Sequence, residues 1–117
     1  MATKPKILSL DELRETRQKL RTQNVQLVQC HGCFDIVHPG HIRYLKYARS
    51  LGDKLLVSIT GDQWIDKGYN RPCIHQDLRA ENLAALEFVD YVYIDENHSA
   101  LAILQEVEPN IYVKGKE

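Results

Sequence analysis

Residues 30 to 41 read CHGCFDIVHPGH, which places three histidines, two cysteines and two glycines in twelve positions. Zinc binding, thiol redox chemistry and anion binding at a helix end all use residues of these types. Spacing separates the three. A structural zinc site draws on two separated ligand pairs, whereas Cys30, His31, Cys33, His38 and His41 all fall on one strand end and one helix start. A redox C-x-x-C opens a helix, whose N-terminus lowers the thiol pKa. Here the helical pattern begins about six residues after Cys33. The spacing therefore predicts no protein-held metal, and both cysteines read as small packing residues.

Anion binding fits the stretch better. Gly32 follows a strand and permits close backbone approach. Pro39 suits the first helical position, so His38, Pro39, Gly40 and His41 stand at a helix start. The first amides of a helix lack intrahelical acceptors, and the helix dipole adds positive potential. Histidines at i and i+3 share one side of the first turn. His38 and His41 could then both reach one anion at the helix end, and Gly40 has no side chain to block it. The bland alternative makes His38 a simple cap and His41 a surface residue. The pattern H-x-G-H directly after a strand and a glycine favours the anion.

These residues need elements to hold them. Residues 9 to 23 read as an amphipathic helix, capped by Ser9 with Glu12 as capping-box partner and with Leu10, Leu13 and Leu20 as its apolar stripe. VQLVQC, 25 to 30, reads as a strand ending at Cys30. A helix follows over 39 to 51, and the apolar run KLLVSIT, 54 to 60, reads as a buried parallel strand. Residues 61 to 72 read as a loop, 76 to 89 as a helix with Leu83 and Leu86 inward, and 91 to 95 as a strand. A helix over 99 to 108, with Ser99 near its cap, and a strand over 111 to 115 complete the chain. The alternation predicts an α/β domain with a mainly parallel sheet. Ligands of such sheets bind beyond the strand C-termini, at the switch in strand order.

The bulk composition narrows the function. A chain of 117 residues allows one compact domain. A net charge of −1 gives no general pull toward nucleic acid or an anionic membrane, and neither is expected as a partner. No apolar run approaches the roughly 20 residues that span a bilayer. MATKPKILSL lacks the apolar core of a secretory signal. The odd set Cys30, Cys33 and Cys73, without such a signal, predicts reduced thiols and a cytoplasmic protein.

G-C-F-D-I-V-H-P-G-H, 32 to 41, resembles the signature of the cytidylyltransferase-like nucleotidyltransferases, G-x-F-D followed by H-x-G-H. K-G-x-x-R-P, 67 to 72, L-R-A-E-N-L-A-A-L-E-x-V-D, 78 to 90, and Y-V-K-G, 112 to 115, resemble later motifs of the same family in register. Within it, the chain looks most like the adenylyltransferase domains of ADP-heptose-synthase type, often joined to a PfkB-type sugar kinase. The resemblance implies a Rossmann-like nucleotidyltransferase fold over residues 25–117, preceded by an N-terminal helical extension over 1–24.

It also implies a reaction. A phosphate oxygen of a sugar phosphate attacks the α-phosphate of a nucleoside triphosphate, ATP ahead of CTP, and pyrophosphate leaves. Mg²⁺ arrives with the nucleotide, and no covalent intermediate forms. Matched to the motif, His38, His41 and Lys67 take the catalytic roles. Gly32, Cys33, Phe34, Asp35, Gly40, Arg71, Arg79, Lys114 and Gly115 take nucleotide-binding roles, with Asp35 organising the loop. For Lys67 the alternative is a solvated side chain, and for Arg79 a helix-surface ion pair. A homodimer is common in the family, and a kinase domain is a frequent companion. The family's late Ser/Thr-rich motif, which closes over the triphosphate, has no match here. The chain therefore reads as a domain without its C-terminal segment. The competing reading is a catalytically incomplete nucleotide-binding domain of a larger, kinase-fused protein. A class I aminoacyl-tRNA synthetase fragment is disfavoured by the near-neutral charge and the G-x-F-D pattern.

Overall fold

A computed structural model describes residues 5–65, 74–97 and 99–114. The chain folds as an α/β domain around four parallel strands. The elements are α1 (Leu10–Thr22), β1 (Leu27–Gly32), α2 (Pro39–Ser50), β2 (Lys54–Thr60), α3 (Gln76–Ala84), β3 (Tyr91–Asp95), α4 (Leu101–Val107) and β4 (Ile111–Val113). Strand order is β3-β2-β1-β4. The chain thus steps outward from β1 to β3, then returns to place β4 on the other side of β1. The order reverses between β1 and β4, and this is the switch point where ligands of open α/β sheets bind.

Alternation along the strands sends side chains to two separate cores. Val28 and Cys30 of β1, with Leu55, Val57 and Ile59 of β2, pack with Leu45 and Ala48 of α2 and with Ala80 and Leu83 of α3. Leu27 and Leu56 point the other way, to Leu13 and Leu20 of α1 and Ile103 and Val107 of α4.

Local chemistry explains most boundaries. Ser9 and Glu12 form the expected capping box, with bonds of 2.8 and 3.2 Å. β1 starts at Leu27, two residues later than predicted. Asn24 is left-handed (φ 58°), its amide donates to Arg21, and Val25 donates back to Leu20. This Schellman stop uses up Val25, so it cannot open the strand. β1 also runs on through His31 and Gly32, which puts Cys30 inside the strand instead of at its end. α3 stops at Ala84, short of 89. Val89 is drawn fully into the core, and Asp90 accepts a hydrogen bond from the Leu55 amide at 2.8 Å. Leu86 is only partly buried.

One buried residue of α1 is charged. Arg17 donates to the carbonyls of Val107 and Glu108, both at 2.9 Å, and so closes the C-terminus of α4. Its position fits the i, i+4, i+7 series 13, 17, 20, a signal that a purely apolar search passes over.

Leu45 fixes α2, and with it the histidine loop, to the sheet. Leu45→Ala is expected to cost about 2–5 kcal/mol in equilibrium denaturation; a loss below about 1 kcal/mol would show that α2 is held by other contacts.

Candidate active site

The loop after β1 emerges at the C-terminal edge of the sheet, beside the switch point. Phe34 anchors it. Its backbone is left-handed (φ 49°) and its ring is buried in the core on the α2 side. A bulky residue held in this region marks stored strain, of order 1–3 kcal/mol. The ring also explains Gly32, where a Cβ would sit 3.0 Å from Phe34. On its other side Phe34 meets His41 edge-on, with centroids 5.3 Å apart. Phe34 therefore positions His41 from below.

His38 is the N-cap of α2. Its Nδ1 accepts from the Gly40 amide at 3.0 Å, and its side chain also takes the His41 amide. His41 Nδ1 in turn accepts from the His38 amide at 3.3 Å. The two imidazoles form a reciprocal capping box and lie with centroids 3.9 Å apart. A nitrogen that accepts an amide proton carries none itself, so in each neutral ring the proton is on Nε2. The site thus differs from the expectation of bare helix amides. Those amides are taken up by the imidazoles. Gly40 has a different reason as well: a Cβ there would meet His38 Cε1 at 2.8 Å.

Arg79 makes an ion pair, as the alternative expectation has it, but a buried one and not one on the helix surface. Its guanidinium is 0 % exposed. Nη1 donates to the Cys33 carbonyl at 2.7 Å, Nη2 to Asp62 Oδ1 at 2.7 Å and Nε to the Ile74 carbonyl at 3.0 Å. It joins the loop after β1, the short 3₁₀ turn Asp62–Trp64 after β2 and the approach to α3. Asp35 reinforces the same junction by accepting from the Ile74 amide at 2.9 Å. Burial alone would raise the Asp62 carboxyl. Hydrogen bonds from Arg79, Gln76 and His75, with the Arg79 charge, outweigh it and hold the group below the usual carboxylate range.

Cys33 is partly buried and meets Arg79 through its carbonyl. Lys114 follows β4 and is exposed. The Tyr44 hydroxyl donates to the Val113 carbonyl at 2.6 Å, tying α2 to that strand. Lys67, Arg71 and Gly115 lie outside the described residues, as does Cys73. Asp62 escaped the sequence reading, although an aspartate just past a glycine at a strand C-terminus is itself a signal. Cavities of about 180 and 480 Å³ lie against α1, lined in part by Tyr93 and Tyr91 and by neither histidine.

A family model described as Cytidylyltransferase-like matches residues 29–117. The chain belongs to this family. It is 44% identical over 114 residues to the "Bifunctional protein HldE" of Campylobacter fetus subsp. fetus, covering 96% of this chain and 24% of that protein. It is 41% identical over 118 residues to the protein of the same name from Rhodopseudomonas palustris, again 24% of whose length it covers. The chain thus spans about a quarter of these relatives. Among solved structures, the "lipopolysaccharide core biosynthesis protein" of Thermoplasma volcanium GSS1 matches with a TM-score of 0.69 and 31% identity, over 75% of this chain and 72% of that one. The fold is therefore the Rossmann-like nucleotidyltransferase fold that the motifs imply.

Two outcomes follow from the geometry. The native Asp62 pKa lies below its unfolded value of about 3.9, so the clamp's contribution is complete above about pH 4 and is lost as pH falls through the native value. Arg79→Met should destabilise the fold by on the order of 3 kcal/mol and flatten the acid limb of stability against pH. An unchanged acid limb would remove Arg79 as its cause. Burial, opposed by the nearby Tyr44 hydroxyl, pushes the Cys30 thiol up to about 11. Iodoacetamide at neutral pH should therefore leave Cys30 unmodified in the native protein and label it after denaturation, as read by mass spectrometry.

Proposed function

We propose that this chain carries the nucleotidyl-transfer site of a larger enzyme. It joins the nucleoside monophosphate of a nucleoside triphosphate, ATP ahead of CTP, to a sugar phosphate and releases pyrophosphate. The observation that carries this reading is the paired histidine cap, with both Nδ1 atoms committed to backbone amides. We assign the anion to the Nε2–H edge of this pair, at a helix N-terminus, where negative charge is favoured.

The step needs no group on the protein to become covalent. An acceptor phosphate oxygen forms a bond to the α-phosphorus, and the bond from that phosphorus to the bridging oxygen breaks. The electron pair leaves with pyrophosphate. His38 and His41 donate to the phosphate oxygens as charge shifts toward the leaving group, and their fixed caps mean that little reorganisation is needed. Mg²⁺ travels with the triphosphate and neutralises its charge. The chain's own share is assigned to the histidines. By motif alone, Lys67 and Arg71 are assigned to the phosphates, and Gly32, Cys33, Lys114 and Gly115 to the nucleotide.

The wider biology follows the resemblance. A sugar kinase on the same polypeptide would supply the sugar phosphate, in keeping with the word "bifunctional" in the relatives' name. No helix among the described residues is long and apolar enough to cross a membrane. A cytoplasmic homodimer is the expected setting.

Pyrophosphate release by this chain with Mg-ATP or Mg-CTP and a heptose phosphate tests the reading. Nucleotide binding without any release would replace it with the incomplete nucleotide-binding domain. His41→Ala should lower turnover on the order of 10²–10³-fold and, by losing a cap, cost about 1 kcal/mol of stability. His41→Gln keeps a capping-box acceptor; it should restore the stability and not the turnover. Recovery of both would reduce His41 to a structural cap.

A further inference from the structure

The two faces of the sheet's C-terminal edge have different chemistry. The histidine cap stands with α2 on one face. On the α1/α4 face the edge carries a polar ladder where an apolar core would be expected. Gln29 Nε2 donates to Ser58 Oγ at 2.9 Å, Ser58 Oγ lies 2.8 Å from His31 Nδ1, and His31 Nε2 lies 3.4 Å from Thr60 Oγ1. Thr60 is in register with Asp95 of β3. Gln29, Ser58 and Asp95 are fully buried, while His31 and Thr60 form a partly exposed lip.

The ladder has more acceptors than donors. Asp95 Oδ1 is satisfied by the Asn97 amide and side chain, but the buried Oδ2 has no partner among the described residues. The Gln29 amide oxygen, whose NH2 end donates to Ser58, is also unpartnered. Buried acceptors left without donors are rare and costly, and a set of them beside a ligand edge calls for a ligand that brings donors. The Asp95 carboxylate also makes this face hostile to phosphate. Hydroxyl groups suit it, because each can donate to the ladder's acceptors.

We infer that His31 and Thr60, backed by Ser58, Gln29 and Asp95, form a hydroxyl-recognising subsite for the sugar portion of a ligand whose phosphates lie on the histidine cap. The nucleotide's ribose and the acceptor's sugar share this chemistry. The inference deepens the nucleotidyl-transfer reading and takes from it the placement of the phosphates.

Two ligand pairs test it by calorimetry on this chain with Mg²⁺: ATP against 2′,3′-dideoxy-ATP, and ribose 5-phosphate against 2-deoxyribose 5-phosphate. The wild type should prefer the hydroxyl-bearing member of at least one pair by on the order of tenfold. Thr60→Val, which suits a strand, and His31→Asn should each bring that preference close to one. Loss in the first pair assigns the subsite to ribose, and loss in the second to the acceptor. Equal binding within both pairs by the wild type overturns the inference, as does a preference that survives in whichever variant folds. If ATP fails to bind at all, the proposed function fails, and the second pair alone decides the subsite.

Discussion

A single buried cation holds the site side of this domain together. The Arg79 guanidinium is surrounded by the Cys33 carbonyl, the Asp62 carboxylate and the Ile74 carbonyl, each from a different segment. A charge at this depth is tolerated only when it is paired and hydrogen-bonded. The requirement works in reverse as well: three loops must converge for the arginine to be buried. The loop after β1 therefore leaves the sheet in one direction, and Phe34 and the histidines follow from that course.

Both histidines close the helix through Nδ1, which accepts from backbone amides. This arrangement fixes the tautomer without any carboxylate partner, because the backbone does the orienting. It also accounts for residues that look passive. Gly40 makes room for the His38 ring, Gly32 for the Phe34 ring, and Phe34 for the edge of His41.

The sequence made legible whatever depends on neighbours along the chain. The Ser9–Glu12 box, Pro39 at the start of α2, the apolar run of β2 and the α/β alternation all rest on short-range chemistry, and the structure has them. The burial of Arg79 was not legible because its partners lie 5, 17 and 46 residues away. Hydropathy also assigns an arginine to the surface, while the adjacent Leu78 is in fact exposed. The displaced start of β1 came from an unnoticed Asn24 stop, since asparagine in a left-handed turn looks like any polar loop residue. His31 was weighed only as a metal ligand. Its true neighbours, Ser58 and Thr60, became visible only once the register of β1 and β2 was known.

The placement of β1 has a consequence for how the chain is made. Its partner β2 lies close behind it in the chain, but β4 pairs with it only after residue 111. The Arg17 side chain of α1 closes on a carbonyl 90 residues further along. Synthesis runs from the N-terminus, so α1 emerges well before the α4 residues on which it packs. Until α4 and β4 arrive, Leu13 and Leu20 lack the cover of Ile103 and Val107, and one flank of β1 stays unpaired. The exposed interval is longest for the strand that leads into the histidine loop. The time at which this domain most needs protection from association is thus set by its topology, through non-local contacts that slow folding.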